Sequence, residues 1–284
     1  MLTVEESENT KYEKKKARAI RLLQSIPTDE GPIEISYSGG KDSDVILELA
    51  KMAGIPYRAI YKRTTIDPPG TIKHCKEKGV EVIMPKKTFF QIVEEHGFPT
   101  MRARLCCSLL KEYKILDRAV QCIRRSESVK RNKRYREPEV CRVYKNGEKT
   151  KIYLPILDWA DNDVERFIKE REIKCHPLYY DEKGNFRVER RLGCIGCPLT
   201  SNKGVRDFLK YPKFFKRYVQ AGSVWLNNHP NATSNKNFGN VYNLVFHDLF
   251  CDSYEYYRLK VERNLFDNGL DTKTFLENYF KIEL

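Results

Sequence analysis

Apolar and polar positions along the chain fall into short stretches of two periods. Residues 33–36, "IEIS", alternate and lead into a Gly-Gly turn, which predicts a strand. Residues 42–53, "DSDVILELAKMA", carry Val45, Ile46, Leu49 and Met52 at helical spacing, and Gly54 follows as a stop. Strands are predicted at 56–62 (PYRAIYK) and 80–85 (VEVIMP), with a turn and a short helix between them in "PPGTIKHCKEKG". "FFQIVEEHG" predicts a helix, residues 106–120 another, and "YLPILDWADNDVERFIKERE" a strand-like run and then a helix capped near Asp161. The N-terminal stretch predicts an amphipathic helix with Ala17, Ile20, Leu22 and Leu23 near its inner face. Residues 198–284 are aromatic-rich and mainly helical, with Pro212 and Pro230 as breakers. Strands alternating with helices predict an α/β fold, a parallel twisted sheet with helices on both faces, followed by an α-helical C-terminal extension.

Composition adds a charge. Among 284 residues, 52 are Lys or Arg and 39 are Asp or Glu, a net charge of +13. That balance favours polyanionic ligands such as nucleotides or nucleic acid. Segment 124–151 concentrates the excess, with eleven basic and four acidic residues, and is a candidate nucleic-acid contact. No stretch of eighteen apolar residues suggests a membrane span, and the N-terminus lacks the apolar core of a secretory signal. The expectation is a cytoplasmic protein without membrane contact. There, nine cysteines read first as metal ligands or redox groups rather than as disulfides.

The turn after the first strand is Ser38-Gly39-Gly40-Lys41-Asp42-Ser43. Glycines let backbone N–H groups approach an anion, and the helix N-terminus adds donors and partial positive charge. Ser38 and Ser43 supply hydroxyls, and Lys41 a point charge. Asp42 suits a helix cap or a Mg²⁺ contact rather than a phosphate.

The string resembles the S-G-G-x-D-S pyrophosphate loop of the ATP pyrophosphatases (the adenine nucleotide alpha hydrolase-like, or PP-loop, superfamily). The resemblance continues to about residue 200. "TTIDPPGT" looks like a second nucleotide-contacting segment, with Thr65 and Asp67. "MRARLCCSLLKEYK", "QCIRRSESVKR", "YLPILDWADNDVERF" and "RRLGCIGCPL" are similar, in order, to segments of the phosphoadenylyl-sulfate (PAPS) and adenylyl-sulfate reductases. The second of these places Arg124, Ser128 and Arg131 on nucleotide-contacting positions. With the resemblance over the middle of the chain, the expected division is an N-terminal helix over 1–30, a nucleotide-binding domain over 31–200 and a helical region over 201–284. It also implies that Lys41 and Asp42 serve catalysis, on an adenine nucleotide with Mg²⁺.

Cys106-Cys107 and Cys194-x-x-Cys197 are two pairs of soft thiolate ligands, suited to iron–sulfur or to zinc. In the adenylyl-sulfate reductases such pairs, similarly spaced, hold a [4Fe–4S] cluster, so the resemblance implies a cluster on these four. Cys75, Cys122, Cys141, Cys175 and Cys251 are scattered and read as packing residues. The five histidines show no metal spacing.

Two departures shape the functional expectation. The reductases carry a nucleophilic cysteine in a C-terminal Glu-Cys-Gly motif, whereas this chain ends "TFLENYFKIEL". The loop also keeps Lys41, the form suited to ATP. Both favour cleavage of ATP to AMP and pyrophosphate in adenylylating a substrate for sulfur transfer, with a sulfur-donor protein as a possible partner. The alternatives are a sulfonucleotide reductase whose nucleophile has moved to Cys251 or to a partner, and a non-catalytic nucleic-acid-binding module. "KYPKFFKRY" at 210–218 interleaves basic and aromatic residues, but Phe214 and Tyr218 stand four apart, as core packing requires.

Overall fold

The predicted alternation becomes a six-stranded sheet in the computed structural model, which describes residues 4–200, 202–251 and 271–284. The strands are β1 (Ile33–Tyr37), β2 (Tyr57–Lys62), β3 (Glu81–Ile83), β4 (Arg118–Val120), β5 (Glu139–Val143) and β6 (Lys149–Tyr153), in the order β3-β2-β1-β4-β6-β5. Four of the five pairings are parallel, and β1 pairs with β2 in the register Ile33↔Tyr57 to Tyr37↔Tyr61. β5 runs antiparallel to β6, so a hairpin closes one edge of the expected parallel sheet. Tyr144 N–H donates to Glu148 O in its turn, where Gly147 takes φ +82°.

β1 alternates in sequence but not in exposure. It is buried along most of its length because it is a central strand of a largely parallel sheet, whose side-chain faces are covered by helices such as Lys41–Ala53. Glu34 is therefore buried, and it accepts from Ser36 Oγ at 2.8 Å and pairs with Lys62 Nζ at 3.6 Å. Burial holds the Lys62 pKa below its usual value, with Glu34 acting in the opposite sense.

α2 (Lys41–Ala53) follows β1 directly and buries Val45, Ile46, Leu47 and Leu49, while Gly54 caps it at φ +68°. α1 (Val4–Gln24) and α7 (Asp161–Glu170) pack beside it. The inner face of α1 is Tyr12, Ala19 and Leu23, with Ile20 and Leu22 partly buried; Ala17, expected on that face, is exposed, and Tyr12 and Ala19 are buried there instead. α7 starts at Asp161, as expected, but it is Asp163 that accepts from the Ala160 N–H, at 2.7 Å. α3 (Thr71–Glu77) follows Gly70.

Residues 106–120 are not one helix. α5 (Leu105–Leu110) ends early, and Arg118–Val120 form β4, with Ala119 and Val120 buried between β1 and β6. Pairing on both sides decides the state of Arg118–Val120, three residues too few to form a helix of their own. The basic segment holds a 3₁₀ turn (Arg125–Glu127), α6 (Val129–Arg134) and the β5–β6 hairpin.

By compactness the chain divides into two units. The sheet unit comprises Met1–Arg63, Pro69–Met84 and Glu112–Leu192; the second comprises Thr64–Pro68, Pro85–Lys111 and Gly193–Leu284. The second unit holds α4 (Phe89–His96), α5, α8 (Val205–Lys210), α9 (Pro212–Asn228), α10 (Thr233–Phe238), α11 (Val241–Phe250) and α12 (Thr272–Phe280). Its core includes Phe89, Phe208, Phe215, Tyr218, Leu276 and Phe280, so the 210–218 stretch spends its aromatics on packing. Among the described residues, no helix is long and apolar enough to cross a membrane.

Candidate functional site

Ser38-Gly39-Gly40 joins the carboxyl end of β1 to α2, where ligands of parallel sheets collect. Gly39 takes φ +77°, and a Cβ there would lie 3.2 Å from Leu192 Cδ2 and 3.2 Å from Thr71 Cγ2. Gly40 is the N-cap of α2; its carbonyl accepts from Ser43 N at 2.9 Å and from Ser43 Oγ at 2.7 Å. Ser38 Oγ lies 3.2 Å from Ser43 Oγ, so the two hydroxyls bracket the turn.

Lys41 is buried, its Nζ 3.3 Å from Asp42 Oδ2 and 5.6 Å from the centre of the Tyr179 ring. No side chain caps α2, so Asp42 is not a helix cap. It pairs instead with Arg124 Nε at 2.8 Å. Arg124 is itself buried, and its Nη2 meets Asp161 Oδ1 at 2.8 Å while Nη1 meets Ser126 Oγ at 3.1 Å. Ser128 caps α6 by accepting from Arg131 N at 3.2 Å, and the Arg131 guanidinium pairs with Glu127. The thiol of Cys122 is pushed up to about 11 by burial and by Asp42, an environment that disfavours a nucleophilic thiolate.

A buried polar chain starts from the first turn of α2, and sequence reading did not single it out. Asp44 accepts from the Tyr37 hydroxyl and lies 3.1 Å from His74 Nε2. His74 meets the ring of His176 edge-on at 5.8 Å between centroids. His176 Nδ1 accepts from Leu178 N at 3.2 Å, and its Nε2 faces Thr71 Oγ1 at 3.4 Å. Burial and the neighbouring His74 hold the His176 pKa below the ordinary value. Burial, with Asp44 adding to it, raises that of Tyr37. These residues lie far apart in sequence, and only "CHP" at 175–177, where a histidine precedes a proline, carried a local hint.

The second unit holds Thr65, Asp67 and the four paired cysteines. The Asp67 carboxylate accepts from the Thr64 hydroxyl, from Thr64 N at 3.3 Å and from Thr65 N at 3.2 Å. Thr65 takes φ +67°, rare for a β-branched residue, and its Oγ1 accepts from Phe89 N at 2.9 Å. Cys106 and Cys107 lie on α5. The Cys194–Cys197 loop is fixed by Ile195 N donating to Ile66 O at 2.8 Å and by Gly196 N donating to Asp207 Oδ2 at 3.1 Å. Gly196 takes φ +71°, and a Cβ there would fall 2.3 Å from the Phe208 ring.

Cys194 Sγ is 3.2 Å from Lys111 Nζ and 3.6 Å from Thr64 Oγ1. The hydrogen bond with Cys107, then burial, raise the Cys106 pKa; burial, with Cys194 and Cys107 adding to it, raises that of Cys197. Desolvation works against the Lys111 ammonium, but Cys194, Cys107 and Asp67 together outweigh it and raise the Lys111 pKa. The four thiols thus share one electrostatic neighbourhood, and by chemical type thiolates suit a soft metal, although their present arrangement is not that of a metal site. Among the described residues, no group of three or more His, Cys, Asp or Glu is arranged to hold a metal ion. The remaining cysteines behave as packing residues in part. Cys75, Cys175 and Cys251 are buried, Cys122 is half-buried, and Cys141 is exposed.

The model of the phosphoadenosine phosphosulfate reductase domain matches residues 32–200. An uncharacterized protein of Methanocaldococcus jannaschii is 31% identical over 229 residues, covering 74% of this chain and 52% of its own length. A second protein of that organism is 26% identical and is covered over 40% of its length, so the chain spans about half or less of these relatives. Sulfate adenylyltransferase subunit 2 of Rhizobium meliloti is 25% identical over 203 residues, covering 58% of this chain and 66% of the relative. Among solved structures, the PAPS reductase of Candida auris aligns with a TM-score of 0.44 at 16% identity, over 68% of this chain and 96% of that one. The FMN adenylyltransferase of Candida glabrata in complex with ATP aligns with a TM-score of 0.45 at 16% identity, over 66% and 62%. By its match over most of the sheet unit and both cysteine pairs, the chain belongs to the phosphoadenosine phosphosulfate reductase domain family.

Proposed function

We propose that the chain binds ATP through Ser38–Ser43 and cleaves it to AMP and pyrophosphate, adenylylating a substrate for sulfur transfer. The geometry of the loop carries this reading. A strand end, a left-handed Gly39 and a glycine-capped α2 form an anion cradle with a lysine inside it. In the proposed step a nucleophile of the substrate attacks the α-phosphorus, the bond to the α,β-bridging oxygen breaks, pyrophosphate leaves, and AMP stays on the substrate until sulfur displaces it. The loop amides and Lys41 hold the β- and γ-phosphates and stabilise the charge that develops on the leaving group. Asp42, anchored by Arg124, directs Lys41 and offers a carboxylate to the Mg²⁺ that accompanies ATP.

Cys106, Cys107, Cys194 and Cys197 would hold a [4Fe–4S] cluster, which when bound would supply sulfur-handling chemistry or a structural staple. Against a reductase whose nucleophile is Cys251, that residue is buried beside Phe238, Phe250 and Phe275 rather than presented to solvent. The exposed Lys130, Lys133, Arg134 and Arg136 suit a polyanionic acceptor such as nucleic acid.

The test is ligand binding and product analysis on anaerobically purified protein. ATP should bind, and Lys41→Ala should weaken it at least tenfold. Equal affinity in the two proteins, or sulfite released from an adenylyl sulfate with a thiol reductant, would overturn the reading.

A further inference from the structure

The mechanism leaves one buried aromatic unused. Tyr179 belongs to the 3₁₀ turn Pro177–Tyr179 and is only 3% exposed. It lies 138 residues from Lys41 in sequence, yet it touches the loop in two ways. Its ring lies 5.6 Å from Lys41 Nζ, within the range of a cation–π contact. Its hydroxyl packs on the loop backbone, since a Cβ at Gly40 would stand 3.2 Å from Tyr179 Oη. Burial raises the Tyr179 pKa, and the nearby backbone of Lys41 and Leu192 acts in the opposite sense.

The turn that presents Tyr179 is itself anchored. Tyr179 N donates to His176 O at 2.9 Å and Leu178 N to His176 Nδ1 at 3.2 Å. His176 is fully buried against His74, which is held by Asp44 in the first turn of α2. The connection therefore returns to the helix that the loop opens. An aromatic ring at this point faces the ammonium while its hydroxyl packs on the loop backbone at Gly40, which an aliphatic side chain would not do.

We propose that Tyr179 is a positioning residue for the phosphate loop, holding the Lys41 ammonium over its ring. It thereby selects ligands with a pyrophosphate group. This inference rests on the reading of Ser38–Ser43 as a phosphate site, and its test separates the two.

Titration calorimetry with ATP, inorganic pyrophosphate and AMP is run on wild type, Tyr179→Leu, Tyr179→Phe, Lys41→Ala and Lys41→Ala/Tyr179→Leu. Tyr179→Leu should weaken ATP and pyrophosphate about tenfold and leave AMP within about twofold, consistent with a desolvated cation–π contact. Tyr179→Phe, which keeps the ring and the core volume, should recover most of that loss and remains informative if the leucine variant does not fold. In the Lys41→Ala background, Tyr179→Leu should cost nothing further. An equal loss for AMP, an undiminished effect without Lys41, or no effect of either Tyr179 variant would overturn the proposal. ATP binding that is indifferent to Lys41→Ala would instead reject the phosphate loop itself.

Discussion

Arg124 illustrates how a residue's surroundings limit what it can do. Its guanidinium is buried and divided between Asp42 at 2.8 Å and Asp161 at 2.8 Å. Removing one partner of a buried pair leaves the other charged and desolvated. Arg124→Ala should therefore lower the free energy of unfolding by about 3 kcal/mol, and adding Asp42→Asn should restore part of the loss. Urea titration of the three proteins measures this; a single-variant loss under about 1 kcal/mol would contradict it. The same variant would release Asp42 beside Lys41, so its ATP affinity reports how far the pair directs the loop. Sequence resemblance identified Arg124, Ser128 and Arg131 as a set. It could not show that Ser128 caps a helix and that Arg131 pairs with Glu127, because both depend on where α6 begins.

At the scale of elements, the strand–loop–helix unit around β1 and α2 was legible, because each part had a period of its own and a glycine boundary. β4 was not. Its three residues are too few for a period, and pairing with β1 and β6 decides its state. The turn at Pro177–Tyr179 was equally hidden, since its partners come from α2 and α3. That turn has a pH signature. Burial, aided by His74 and opposed by Asp44, holds the folded His176 pKa below its ordinary value, so the folded chain prefers the neutral ring. The associated stability is complete above about pH 6.5 and is lost as pH falls below it, where the unfolded chain takes up a proton that folded His176 resists. Unfolding measured at pH 8 and pH 5.5 should show wild type losing more stability than His176→Gln. A difference between the two proteins that does not change with pH would remove His176 as the source.

For the whole molecule, the phosphate loop and the paired cysteines fall in different compact units, one built on the sheet and one on aromatic helices. Their ligands should accordingly be separable. Cys194→Ser should abolish visible absorption in anaerobically purified protein and leave the Kd for ATP within about twofold. Lys41→Ala should do the reverse. Absorption and calorimetry on the two variants measure this, and a joint loss of both properties in either variant would refute separability. The hairpin that ends the sheet also bears on how copies of the chain meet. β5 follows Pro138, and its Glu139 and Arg142 form ion pairs with Lys151 at 2.8 Å and Glu112 at 3.3 Å. A proline and fixed charges along an outer strand discourage another strand from docking there. Crowded nascent chains thus meet a sheet that is already terminated on that side, which guards against end-to-end sheet growth during synthesis.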